Sequence, residues 1–112
     1  MVMFDDGGAQ TTVLGEEVYG GYLTRESNNE RIDITRSEFT IGRDAASVDY
    51  CIRGNGSISR VHARILVRGG EVFIVDNRTS NGTYVNNAKV RPGVEQRLKS
   101  GDIVRLSDEK FR

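Results

Sequence analysis

The sequence predicts an all-β domain, an antiparallel sandwich or barrel, on three observations. Short runs rich in Ile, Val, Phe, Thr and Tyr recur through most of the 112 residues, separated by clusters of Gly, Asn, Asp and Ser. Several runs alternate apolar and polar residues with the period of a strand whose faces meet different surroundings. No stretch keeps a helical period long enough for a helix, and the chain has a single Pro. Many short strands joined by turn residues are the grammar of sandwiches and barrels.

The runs begin at Tyr22. Residues 21–26 (GYLTRE) and 30–35 (ERIDIT) are the first two; in the second, Ile32 and Ile34 alternate with Arg31 and Asp33. Residues 38–43 (EFTIGR) end on Gly42, which lets the backbone turn sharply and projects Arg43 from a rigid strand end. A short run, DYCI, covers residues 49–52. In residues 61–68 (VHARILVR), Val61, Ala63, Ile65 and Val67 oppose His62, Arg64, Leu66 and Arg68. Residues 71–76 (EVFIVD) contain VFIV, which reads as buried on both faces. TYVN (83–86), AKVR (88–91) and DIVRLS (102–107) complete the series. Asn81-Gly82 signals a hairpin-type turn before TYVN, and Gly101-Asp102 a tight turn before IVRL.

Residues 1–21 differ in texture, with Gly pairs at 7–8 and 20–21 and little periodicity, and are expected to form a flexible acidic tail ahead of one folded domain at 22–112. The net charge of zero hides an asymmetry. Asp5, Asp6, Glu16 and Glu17 give the tail −4, which leaves 16 basic and 12 acidic groups, +4, for the rest. Thirteen of those 16 basic groups are Arg, whose planar fork grips phosphate or carboxylate with two hydrogen bonds. Cys51 is the only cysteine and reads as a small buried hydrophobe, so no disulfide framework, metal-ligand set or cofactor is expected. The absence of a long apolar run or a signal-peptide pattern leads us to expect no membrane association and a cytoplasmic location. Nucleic acid is not expected as a partner, because the balance is not basic and the aromatics do not interleave with Arg in a stacking platform.

Function should sit in the loops at one end of the sheets. RGNGSISRVH (53–62) offers Gly54-x-Gly56, yet the third glycine of a dinucleotide fingerprint is replaced by Ser59 and no helix follows. Ser59, His62 and Asp76 make a hydrolase triad only on paper: there is no nucleophile elbow, and side chains three apart on a strand point to opposite faces.

Read together, IGR (41–43), SISRVH (57–62), TSNGTYVN (79–86) and LKSGDIVRL (98–106) follow the order and spacing of the forkhead-associated (FHA) domain. The sequence resembles that family from Tyr22 to Phe111. The resemblance implies a sandwich of eleven strands that binds phosphothreonine peptides with the loops at one end, without catalysis, and it leads one to expect a last strand running past EKFR. It implies that Arg43 and Ser59 contact the phosphate, that Arg60 and Ser80 assist, and that Asn81 holds the peptide main chain. Gly42, His62, Gly82, Thr83 and Asn86 match scaffold positions of the loops. The residue types suit the ligand, since a phosphothreonine carries nearly two negative charges and three acceptor oxygens and needs donors fixed in advance. Partners implied are phosphothreonine proteins, a Ser/Thr kinase or its substrates; Arg78-Thr79 and Ala45 to Asp49 lie in the loops that would select among them. The alternative is a degenerate FHA sandwich serving phosphate-independent protein contacts. Thr11 and Thr12 in GAQTTVLGEE are candidate phosphorylation sites, and the resemblance extends to small bacterial FHA regulators whose phosphorylated tail occupies their own site.

Overall fold

The computed structural model describes residues 20–112; the expected tail, with Thr11 and Thr12, falls outside them except at its last two residues. Eleven strands and no helix make up the described residues. They are β1 (Tyr22–Arg25), β2 (Glu30–Asp33), β3 (Glu38–Gly42), β4 (Tyr50–Cys51), β5 (Ala63–Arg68), β6 (Glu71–Asp76), β7 (Thr83–Val85), β8 (Ala88–Lys89), β9 (Gln96–Leu98), β10 (Val104–Leu106) and β11 (Glu109–Phe111). Six of them form one sheet in the order β2-β1-β11-β10-β7-β8, and five form the other in the order β4-β3-β5-β6-β9. Ile32, Phe39, Ile41, Ala63, Ile65, Ile74, Val85, Val104, Leu106 and Phe111 face inward from both sheets and close the core.

The alternations predict which face is buried: Ile32 and Ile34 are inside while Arg31 and Asp33 are exposed, and Ala63 and Ile65 are inside while Arg68 is out. Tight two-residue turns set two of the hairpins. Gly69-Gly70, both left-handed, joins β5 to β6, and Asn86-Asn87, also left-handed, joins β7 to β8 with Val85 opposite Ala88.

Several expectations are corrected by the fold. Val61 and His62 precede β5 rather than begin it, and His62 is fully buried. In VFIV only Ile74 and Val75 are buried; Val72 and Phe73 are partly exposed, with the Arg68 guanidinium 4.9 Å from the Phe73 ring. Asn81-Gly82 does not close a hairpin, because β6 and β7 belong to different sheets and the loop between them crosses the sandwich. One pair, β3 with β4, is parallel. Cys51 is only half-buried, its Sγ 3.3 Å from the Arg43 carbonyl.

The crossings put the loops after β3, β4, β6 and β10 at one end of the sandwich. At the other end, a cleft of about 580 Å³ lined by Leu23, Ile34, Ile65, Val72 and Leu98 opens beside Gly20, where the described residues begin.

Candidate functional site

The loop end is assembled around Gly42. A Cβ there would lie 2.8 Å from the Arg60 carbonyl carbon and 2.9 Å from the Val61 Cα, so only glycine lets the β4–β5 loop rest on the end of β3. The contact is cemented by backbone: the Arg43 N–H is shared between the carbonyls of Ser59 and Arg60 at 3.0 Å each, and the Asp44 N–H reaches the Arg60 carbonyl at 3.1 Å. Arg43 and Ser59 are thereby side by side. The Arg43 Nε donates to the Ile58 carbonyl at 2.9 Å, which steers the guanidinium, while its terminal nitrogens have no partner among the described residues. The Ser59 hydroxyl likewise has none, and its side chain is half-buried.

His62 fixes Ser59 from below. The Ser59 N–H donates to His62 Nδ1 at 3.0 Å, which makes this nitrogen the acceptor and leaves Nε2 to donate to the Gly82 carbonyl at 2.9 Å. One neutral imidazole therefore ties the β4–β5 loop to the β6–β7 loop. Burial, the largest cause, lowers its pKa below the ordinary value of 6.5, against the opposing pull of the Gly82 carbonyl and Asp76. The paper triad dissolves: the Ser59 backbone, not its hydroxyl, meets the ring.

Asp76 anchors the other loop. At the end of β6 its carboxylate accepts from the Thr79 N–H at 3.0 Å, the Thr79 hydroxyl at 2.7 Å and the buried Thr83 hydroxyl at 2.7 Å. Burial alone would raise its pKa, but these hydrogen bonds outweigh it and the shift is downward. Thr79 then accepts from the Gly82 N–H through its hydroxyl at 2.9 Å. The result presents Ser80 and Asn81, both exposed, at the loop tip. Asn81 Nδ2 donates to the Ser57 carbonyl at 2.8 Å, closing the two loops on each other.

A third wall comes from the β10–β11 turn. The Ser107 N–H joins His62 on the Gly82 carbonyl at 2.9 Å, and the Ser107 hydroxyl lies 2.9 Å from that of Ser57. Asn55 Nδ2 donates to Asp108 at 2.8 Å and to Glu109 at 3.2 Å, and Glu109 pairs with the nearly buried Arg25 at 3.0 Å.

Of the residues singled out from sequence, Gly42, Arg43, Ser59, Arg60, His62, Ser80, Asn81, Gly82 and Thr83 meet at this end. Asn86 does not: it braces the opposite end, where its amide donates to Asp102 and accepts from the Ile103 N–H, both at 3.0 Å. Arg60 is less free than its position implied, because Asp44 lies 3.7 Å away. Hydrogen bonds from Ser47 and the Ala46 N–H, more than Arg60, hold the Asp44 carboxyl below the usual carboxylate range, so it stays charged. Asp76, Thr79, Asn55 and Ser107 carry no pattern that marks them as loop anchors in sequence; only their density of Ser, Thr, Asn and Asp hints at local hydrogen bonding. Among the described residues, no cluster of His, Cys, Asp and Glu is arranged to hold a metal ion, and no helix is long and apolar enough to cross a membrane.

This geometry has relatives. The E3 ubiquitin-protein ligase CHFR of Xenopus tropicalis is 36% identical over 99 residues, 81% of this chain and 15% of that protein. The chain thus spans a small part of its curated relatives, 17% in the case of protein FraH from Nostoc sp.. Mycobacterium tuberculosis EmbR, solved with a low-affinity phosphopeptide, superposes with a TM-score of 0.73 at 30% identity over 80% of this chain and 23% of that one. A structure from a study of phosphothreonine-dependent FHA domain interactions superposes with a TM-score of 0.72 at 26% identity, over 80% of this chain and 90% of that one. The FHA domain family model matches residues 39–107, which run from β3 to the end of β10 and include the β3–β4, β4–β5 and β6–β7 loops, and with that match the chain belongs to the FHA domain family.

Proposed function

We propose that this chain is a phosphothreonine-peptide-binding module of Ser/Thr kinase signalling, with Arg43 and Ser59 gripping the phosphate, Ser80 and Arg60 assisting, and Asn81 holding the peptide main chain. The observation that carries this reading is the Arg43 guanidinium, oriented by its Nε on the Ile58 carbonyl with its terminal nitrogens unpartnered among the described residues, on a residue whose backbone is bonded to that of Ser59, whose hydroxyl also has no partner among them. Such a pair is a preorganised donor set for a dianion. No group in it needs to move a proton, so binding and release is the whole of its chemistry. Isothermal titration of a phosphothreonine peptide library tests it. Arg43→Ala should weaken the best peptide at least tenfold, about 1.4 kcal/mol; affinity within twofold of the parent would remove Arg43 as the anchor.

The finer reading is that Thr11 or Thr12, once phosphorylated, becomes a ligand for such a site. Gly20 sits at the end of the sandwich opposite the loops, beside Ile34 and Val67. The intervening β5 alone, six residues long, spans about 20 Å, and the eight or nine residues from Thr12 or Thr11 to Gly20 reach roughly 26–30 Å when fully extended. Occupation in cis therefore needs a taut chain, and this favours binding in trans between copies. Kinase treatment followed by sedimentation separates the two: a phosphorylation-dependent dimer supports trans, and a monomer with blocked peptide binding supports cis.

A further inference from the structure

Asn81 is followed by glycine, the neighbour that least hinders attack of a backbone nitrogen on an asparagine side chain. In that reaction the Gly82 nitrogen loses its proton to solvent and bonds to the Asn81 Cγ, ammonia leaves with a proton taken from solvent, and a succinimide forms. Water then opens the ring at either carbonyl, giving aspartate or isoaspartate. The sum is asparagine plus water to acid plus ammonia, with no other reactant.

The loop holds both participants. The Gly82 N–H donates to the Thr79 hydroxyl at 2.9 Å, and the Asn81 amide donates to the Ser57 carbonyl at 2.8 Å. Thr79 cannot easily turn away, because its own hydroxyl and backbone N–H are committed to Asp76 at 2.7 and 3.0 Å. Asn81 itself is exposed, so water reaches its side chain, while Gly82, which carries the attacking nitrogen, is buried with its N–H turned onto Thr79. We infer that Asn81–Gly82 is a latent self-modification site and that Thr79 keeps it silent by engaging the nucleophilic nitrogen. Loss of the guard would place a carboxylate at the tip of the β6–β7 loop. On the phosphopeptide reading, that charge would repel the phosphate of any ligand.

The chain has a second Asn-Gly step, Asn55–Gly56, guarded differently: its side-chain oxygen accepts from Ser57 and its amide donates to Asp108 and Glu109. Peptide mapping keeps the two steps apart.

The test is incubation of the full chain in mildly alkaline buffer, with mass-spectrometric mapping of acid and isoaspartate at position 81 and melting curves in parallel. The parent should convert at least tenfold more slowly than a synthetic peptide spanning residues 77–85. Thr79→Val should convert faster than the parent, and Thr79→Ser, which keeps the hydroxyl, should match the parent. If Thr79→Val lowers the melting point so far that the loop is unfolded, Thr79→Ser against the peptide remains the deciding comparison. A parent as fast as the peptide, a folded Thr79→Val as slow as the parent, or a folded Thr79→Ser as fast as the peptide would overturn the inference. These rates are independent of any ligand. Binding is read separately with Asn81→Asp, expected to lose at least tenfold in affinity for a phosphothreonine peptide. Retained affinity there would count against the phosphopeptide role of Asn81 and leave the guard by Thr79 intact.

Discussion

At the scale of the residue, His62 and Ser59 divide structure from contact although they are three positions apart. The imidazole accepts from one loop and donates to another, so removing it leaves a buried N–H and takes one donor from the Gly82 carbonyl. His62→Ala should therefore cost about 2–3 kcal/mol, a drop in melting temperature of roughly 10–20 °C for a domain of this size, and weaken binding with it. Ser59→Ala removes a hydroxyl that has no partner among the described residues. Its melting curve should stay within about 0.5 kcal/mol of the parent while phosphopeptide affinity falls. Two mutants that lose stability together would refute the division. His62 also gives stability a pH dependence. Its pKa is lowered in the folded chain, so the unfolded chain binds the proton more readily. The contribution is complete above the ordinary value of 6.5 and is lost as pH falls from there through the folded pKa, because a proton on Nδ1 would face the Ser59 N–H. Calorimetry across that window should find a steeper decline in the parent than in His62→Ala.

At the scale of the element, the end of β3 shows how one missing side chain positions a site. Gly42 has ordinary backbone angles, so the need for glycine is one of space rather than conformation: the Arg60 carbonyl occupies the place of a Cβ. Gly42→Ala must push the β4–β5 loop off β3 and strain the Arg43 backbone bonds to Ser59 and Arg60, which overpacking costs put at about 1–3 kcal/mol. Amide exchange should rise at Arg43 and Ser59 before it rises at Ile65 in the middle of β5; uniform loosening would mean that the loop does not rest on Gly42. Strand legibility also differed by element. β2 and β5 were readable because one face of each is buried, which writes alternation into the sequence. β9, Gln96–Leu98, is an edge strand with little to bury, and its polar residues carry no period. β11 pairs with β1 across most of the chain length, a partnership no local window contains.

At the scale of the whole molecule, the two sheets act as a frame whose loops are held at one end before any ligand arrives. Binding then need not pay for much ordering, and a ligand seen only by the folded state stabilises it by mass action. At a hundredfold excess over Kd, a phosphothreonine peptide should add about 2.7 kcal/mol, raising the melting temperature by roughly 10–20 °C. The shift should shrink with salt, because the attraction is between partly exposed charges. An unphosphorylated peptide should add nothing. A thermal shift that is the same for both peptides would favour a phosphate-independent interaction sandwich instead.

By itself the sequence determined the all-β class, most of the strands and the inward faces of β2 and β5, and it marked the motif residues from Gly42 to Thr83, because alternation, turn chemistry and motif spacing are legible without the fold. Tertiary structure alone decided that Asn81-Gly82 bridges two sheets, that Asp76 and Thr79 anchor that bridge, that Asp44 shares Arg60, and that Asn86 serves the opposite end. It also decided the pairing of Arg25 with Glu109, 84 positions apart. The reason is physical. A strand's buried face constrains its own residues, whereas a loop hydrogen bond or an ion pair needs only a donor and an acceptor brought within about 3 Å, and which ones meet depends on how the sheets stack.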